Sequence, residues 1–133
     1  MTMFYLAIDI ATRRLEWVRA GHEPGLVYNP ASDAFSELGG SGIALGVDAD
    51  WIYEDNRKTD FSDGQIIFLC TDGVWEARNH QGEMLGKEPI LNTIRQNAAS
   101  DASQIIEAIF DLLDKFIGET KVEDDITLVV IKR

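Results

Sequence analysis

Cysteine, proline and basic residues are all scarce in this chain of 133 residues, which has one cysteine, three prolines and 12 lysines and arginines. The single cysteine, Cys70, excludes an internal disulfide and favours a reducing compartment, so we expect the cytoplasm. Against the 12 basic residues stand 23 acidic ones, which gives a formal net charge of −11. Such a field repels phosphate backbones and anionic membranes, so a nucleic-acid partner is not expected.

Long apolar runs are absent as well. The short apolar stretch near the N-terminus follows no basic residue and is interrupted by Asp9, so it does not fit a signal peptide. No other run approaches the length of a membrane-spanning helix, and we expect no membrane insertion. With 45% hydrophobic residues the chain is still able to bury a core, so residues 1–133 are predicted to form a single domain.

Alternating apolar and polar side chains indicate strands in the first half of the chain. The pattern predicts a hairpin of strands over 4–10 and 15–20, a strand over 26–28, an edge strand over 35–38, an extended run over 51–59, a hairpin turn over 61–64 and a strand over 66–70 that is buried on both faces. The glycines from Gly39 to Gly46 lack the lysine of a phosphate-binding motif, which favours a flexible loop over a phosphate cradle.

Helical periodicity appears in the second half. Pro89 suits the first turn of a helix that Asn97 ends, and Asp101 with Gln104 has the spacing of a capping box before a longer helix that Gly118 ends. The apolar stripe of the longer helix indicates packing on a sheet. The final apolar run, residues 126–133, predicts a central strand.

Aspartates adjoin two of the predicted buried strands. Asp72 follows the strand over 66–70, and Asp124 and Asp125 precede the last strand. If the two strands are antiparallel neighbours, these carboxylates meet at one rim, where a hard cation such as Mg²⁺ or Mn²⁺ would relieve their repulsion. The alternative is that Asp72-Gly73 is an ordinary turn and the Asp pair is solvated, and spacing alone leaves both interpretations open.

Four segments resemble the C-terminal part of the metal-dependent type 2C serine/threonine protein phosphatases: AGHEPGLVY at 20–28, GIALGV at 42–47, TDGVWEARN at 71–79 and DDITLVVIKR at 124–133. The similarity is to the bacterial branch that controls sporulation and stress sigma factors. It implies an α+β fold, in which an antiparallel β-sandwich is flanked by helices in α-β-β-α layers. It also implies two Mn²⁺ or Mg²⁺ ions that activate a water for direct attack on a phosphorylated protein, in relatives a small anti-anti-sigma-type protein.

The resemblance also implies roles for individual residues. Asp72 and Asp124 match metal ligands of the family, and Asp125 and Gly73 match positions that support those ligands. His22 lies in a matching segment but gains no metal role, and its Gly/Pro turn favours local hydrogen bonding over general acid catalysis.

One part of the family pattern has no counterpart in this sequence. The family has an upstream aspartate in a Gly-Asp motif, followed by a Gly-His-Gly segment, and this aspartate bridges both ions. We therefore expect the N-terminal strands and helices of the full domain to be missing, and this chain alone to bind Mn²⁺ weakly and to hydrolyse phosphoesters negligibly. We also expect it to self-associate through an uncovered sheet edge or apolar face. The competing interpretation is a non-catalytic regulatory or docking module, a pseudophosphatase with an incomplete metal site.

Overall fold

The computed structural model describes residues 1–120 and 124–133. Their strands and helices follow the order β1 (Met3–Asp9), β2 (Arg14–Ala20), β3 (Gly25–Asn29), β4 (Ala34–Leu38), β5 (Asn56–Lys58), β6 (Ile66–Cys70), α1 (Gly73–Glu76), α2 (Lys87–Gln96), α3 (Ala102–Ile117) and β7 (Leu128–Lys132). None of these helices combines the length and the apolar character needed to cross a bilayer.

The described strands form two antiparallel sheets. The smaller sheet has the order β1-β2-β5, and the larger has the order β4-β3-β6-β7. The predicted hairpin of β1 and β2 is confirmed, and so is the position of β4 at an edge. In the larger sheet, Cys70 at the end of β6 pairs with Leu128 at the start of β7. The residues after β6 and before β7 therefore lie at the same rim.

Strand β6 belongs to two apolar layers at once. Its Ile67 packs in a layer between the sheets with Leu15 and Trp17 of β2. Its Ile66 and Phe68 pack on the opposite side in a layer formed with the helices. The prediction of a strand buried on both faces is thus confirmed, and burial of each such side chain contributes roughly 1.5–3 kcal/mol.

The two longer helices begin and end close to the predicted residues. At the start of α3, the Asp101 carboxylate accepts from the Gln104 backbone N–H at 2.9 Å, and the Gln104 side chain accepts from the Asp101 N–H at 3.2 Å. Gly118 follows α3 with φ of +59°, a conformation that suits glycine. The stripe of α3 that faces the sheet is buried as predicted and contains Ile105, Ile109, Leu113 and Ile117.

The prediction that β7 is a central strand is wrong for the described sheet. Strand β7 pairs with β6 and lies at the end of the strand order. Its apolar character has another cause, because its two faces contact different layers. Val130 packs with the helices and Ile131 with the layer between the sheets.

The predicted hairpin turn over 61–64 is also wrong. Strand β5 pairs with β2 in the smaller sheet, whereas β6 pairs with β3 and β7 in the larger one. The segment between β5 and β6 is therefore a crossover between sheets, and Phe61 is buried in the layer that joins them. Within the extended run predicted over 51–59, the structure has a strand at Asn56–Lys58 alone.

A charged cluster attaches the β3–β4 turn to the last turn of α2. Arg95 Nε donates to Asp33 Oδ1 at 2.6 Å, and the Tyr28 hydroxyl donates to the same oxygen at 2.9 Å. The Arg95 guanidinium also lies 5.5 Å from the centre of the Phe35 ring. The hydrogen bond from Arg95, followed by the one from Tyr28, lowers the pKa of the Asp33 carboxyl. The cluster therefore stabilises the folded state when Asp33 is ionised.

We expect Asp33→Asn to destabilise the chain most at neutral pH. A carboxyl whose pKa is lower in the folded state stabilises above its unfolded pKa of about 3.9 and loses that contribution as the pH falls through the folded pKa. In urea unfolding series, the difference between wild type and variant should therefore begin to shrink as the pH falls toward about 4 and should disappear below the lowered folded pKa of Asp33. The control Asp111→Asn, at an exposed position of α3, should change stability little. A difference for Asp33→Asn that stays constant with pH would contradict this account.

Candidate metal centre

Hydrogen bonds continue the pairing of β6 and β7 beyond the two strands. The Thr71 backbone N–H donates to the carbonyl oxygen of Thr127 at 3.0 Å. The Thr71 hydroxyl donates to the carbonyl oxygen of Asp125 at 2.9 Å and accepts from the Thr127 N–H at 3.1 Å. Asp72 therefore leaves the sheet directly beside the Asp124-Asp125 segment. The structure thus brings the predicted acidic segments together at one rim.

Gly73 is the point of closest approach between these segments. A Cβ atom placed on Gly73 would lie 2.8 Å from the Asp125 carbonyl oxygen and 3.7 Å from the Asp124 Cβ. The first distance is shorter than real Cβ contacts allow, so the acidic segment fits against α1 because residue 73 has no side chain. This packing is a physical reason for glycine at the position predicted to support the ligands.

Asp72 begins a helix rather than a hairpin turn. Its Oδ1 accepts from the Gly73 N–H at 3.1 Å, and its carbonyl oxygen accepts from the Glu76 N–H at 2.9 Å. The single turn of α1 that follows is fixed by Val74 and Trp75, which are both buried. Sequence reasoning missed α1, although aspartate is among the residues preferred at a helix N-cap. Trp75 packs in the layer formed with the helices and so anchors this turn.

A cavity of about 90 Å³ lies beside Asp72. Its lining contains Thr2, Gly21, His22, Glu23, Thr71 and Asp72. The connection between β2 and β3 therefore borders the candidate metal centre. His22 Nδ1 lies 3.1 Å from the Glu23 carbonyl oxygen, in keeping with the predicted local role.

Glu23, which lines this cavity, pairs with Lys87, and sequence reasoning missed both residues. Lys87 Nζ lies 3.4 Å from Glu23 Oε2 and 4.5 Å from the centre of the Trp75 ring. Lys87 thus links the β2–β3 connection to the start of α2 and to the helix that follows Asp72. The two residues are 64 positions apart in the sequence, so local sequence patterns do not predict that they meet.

Cys70 lies at the end of β6, two residues before Asp72, and is buried. Burial raises the pKa of its thiol to about 12, and the nearby Glu23 carboxylate adds to the effect. The thiol is therefore protonated at neutral pH and is not a nucleophile there.

The side chains at the rim are oxygen donors, as Mg²⁺ and Mn²⁺ prefer. Asp124 Oδ1 accepts from the Asp125 N–H at 2.8 Å, and Asp72 Oδ1 accepts from the Gly73 N–H at 3.1 Å. Within residues 1–120 and 124–133, no group of three or more His, Cys, Asp or Glu side chains is arranged to hold a metal ion. The rim thus fits part of an oxygen-rich metal site, and the ligand roles of Asp72 and Asp124 stay predictions.

Two facing antiparallel sheets, with helices on the larger one and an acidic rim, define a type 2C protein phosphatase (PP2C) fold. The PP2C domain of SiaA from Pseudomonas aeruginosa matches with a TM-score of 0.84 and 22% identity, over 99% of this chain and 51% of that one. The PP2C phosphatase domain of SpoIIE from Bacillus subtilis matches with a TM-score of 0.79 and 17% identity, over 99% of this chain and 37% of that one. The predicted α+β sandwich is confirmed.

The family profile of stage II sporulation protein E (SpoIIE) matches residues 1–133, and the chain belongs to this family. It is 31% identical over 133 residues to the phosphoserine phosphatase RsbU of Bacillus subtilis (strain 168), which covers all of this chain. The chain spans 39% of the length of RsbU. The predicted membership of the sporulation and stress branch is confirmed.

We expect Gly73→Ala to lower the free energy of unfolding by about 1–3 kcal/mol, because the added methyl group overpacks against the Asp125 carbonyl. The favourable effect of alanine on the unfolded chain offsets less than this. Urea unfolding of the two proteins measures the difference. Gly39→Ala is the matched control, since a Cβ at residue 39 would meet nothing within 4 Å. Equal stabilities of the two variants would show that residue 73 does not limit the approach of the acidic segment.

Proposed function

We propose that this chain forms part of the catalytic domain of a Mn²⁺- or Mg²⁺-dependent phosphatase that hydrolyses phosphoserine or phosphothreonine on a regulatory protein. The observation that carries the proposal is the convergence of Asp72 with the Asp124-Asp125 segment at one rim of a PP2C fold. The likeness to RsbU, a phosphoserine phosphatase, supports the same reaction.

The proposed site uses carboxylates from both sides of the β6–β7 pair. Asp72 and Asp124 would hold the ions, while Asp125 and Gly73 support them through the backbone contacts described above. When bound, such ions lower the pKa of a water and neutralise the phosphate oxygens, so no covalent intermediate on the protein is needed. RsbX, which shares the fold at a TM-score of 0.64, has a solved structure in complex with magnesium.

We further propose that residues 1–133 are the C-terminal portion of a longer catalytic domain. The chain spans 39% of RsbU, and the described residues bring together fewer carboxylates than a two-ion site uses. The proposed substrate is a small phosphorylated protein of the anti-anti-sigma type in the cytoplasm, as the resemblance to the stress and sporulation branch implies. This chain alone is then expected to have negligible activity.

A second candidate function is a pseudophosphatase, that is, a regulatory or docking module without catalysis. The observation in its favour is that no group of three metal-binding side chains occurs among the residues that the structure describes. The presence of both Asp72 and Asp124 at the rim favours the enzyme, because a docking surface has no need of converging carboxylates.

We expect the 133-residue chain to bind Mn²⁺ weakly and through Asp72. Removing one carboxylate charge from the rim by Asp72→Asn should eliminate the heat of binding in a calorimetric titration with MnCl₂. The isosteric control Asp111→Asn, at an exposed position of α3 outside the acidic rim segments, should leave the titration unchanged. Binding that survives Asp72→Asn would contradict the proposed ligand role.

Activity is best tested on the full-length parent protein with a phosphoserine peptide as substrate. We expect Mn²⁺-dependent phosphate release, and a loss of kcat/KM of about a hundredfold or more in Asp72→Asn and in Asp124→Asn, since each removes a ligand charge. A parent protein without activity would favour the pseudophosphatase. Robust Mn²⁺-dependent turnover by the 133-residue chain alone would contradict the proposal that its site is incomplete.

A further inference from the structure

The loop between β4 and β5 has its two ends next to each other. The Ser41 backbone N–H and hydroxyl both donate to Glu54 Oε2, at 3.2 and 3.0 Å, so the two ends of the loop meet. We call the enclosed residues 42–53 the rim loop. Surface loops of this size with adjacent ends are frequently functional.

The base of the rim loop is attached beside the candidate metal centre. The Gly21 N–H donates to the Gly42 carbonyl oxygen at 3.1 Å, and the Leu45 N–H donates to the Met1 carbonyl oxygen at 2.8 Å. A Cβ on Gly21 would lie 2.7 Å from the Ala44 nitrogen, so the two segments are packed backbone to backbone. Gly21 also lines the cavity that contains Asp72. The base of the rim loop, at residues 42–45, therefore lies next to the proposed site, and the rest of the loop extends from there.

The far part of the rim loop exposes large apolar side chains. Ile52 is 91% exposed, Val47 is 70% exposed and Trp51 is 39% exposed, although they lie within six consecutive positions. Asp48 and Asp50, both exposed, alternate with them. Exposed apolar side chains gathered in this way indicate an interaction surface, and aromatic and large aliphatic residues are effective anchors in such surfaces.

We propose that the rim loop docks the segment of the protein substrate that carries the phosphoserine, and that this segment presents apolar side chains flanked by basic ones. The inference rests on the proposed function, because the site needs a phosphorylated protein beside the loop. Apolar side chains of the substrate cover Ile52 and Trp51, and basic ones pair with Asp48 and Asp50. A second copy of this chain is a poor occupant, since its net charge of −11 repels an acidic loop.

Docking of this kind assists the reaction by positioning the phosphoserine. The contacts hold the phosphoserine near Asp72 and raise its effective concentration at the site. They involve parts of the substrate remote from the phosphate, so they select among phosphoproteins that present the same reacting group. The loop thus supplies specificity that the metal ligands lack.

Fluorescence anisotropy with dye-labelled peptides tests the proposal on the 133-residue chain. One phosphoserine peptide carries leucines and lysines around the phosphoserine, and the other carries glycines and serines. We expect the first to bind about tenfold tighter or more, and Ile52→Asp to remove this preference, as loss of a central anchor does in other interfaces. The same substitution at an exposed isoleucine of the β1–β2 turn, Ile10→Asp, is the matched control and should keep the preference. Circular dichroism of each variant confirms its fold.

The outcomes separate this inference from the proposed function. Binding does not require hydrolysis, so the peptide preference can hold even if the parent protein lacks phosphatase activity. Equal affinities for the two peptides, or a preference that Ile52→Asp leaves intact, overturn the docking inference even if the phosphatase is active. Self-association in light scattering that Ile52→Asp abolishes would assign the loop to a second copy and likewise overturn it.

Discussion

The antiparallel pairing of β6 with β7 is the constraint on which the rest of this structure depends. The pair supplies side chains to both apolar layers, and it is continued at one end by the Thr71 hydrogen bonds. Burial of the pair fixes its register, since a shift of one residue would turn Ile67 and Phe68 toward the wrong layers. The same register places Asp72 beside the Asp124-Asp125 segment. The stability of the core and the geometry of the candidate site therefore have one origin.

Local sequence patterns were sufficient to predict the strands and helices whose formation depends on local interactions. The β1–β2 hairpin, the edge strand β4, the capped helix α3 and the doubly buried strand β6 all follow from periodicity and caps, and the structure confirms them. The prediction for β7 as a central strand failed because an apolar strand can face two layers and still end a sheet. The predicted hairpin at 61–64 failed because turn residues do not specify which sheet receives the next strand.

In the candidate site, too, some features follow from local sequence patterns and others depend on tertiary packing. The proximity of Asp72 to the Asp124-Asp125 segment was predictable, because both adjoin apolar strands that pair antiparallel. Glu23 and Lys87 carried no local signal, since their meeting depends on how the β2–β3 connection packs near the start of α2. In a chain of net charge −11, the Lys87 ammonium offsets the charge of Glu23, which is one of the residues that line the cavity beside Asp72.

The burial of Cys70 has a consequence for redox chemistry. Oxidants react with thiolates, and a thiol that is buried and has a pKa of about 12 offers almost none at physiological pH. The arrangement at the end of β6 therefore keeps the single thiol of this chain, two residues before Asp72, out of the reach of oxidants.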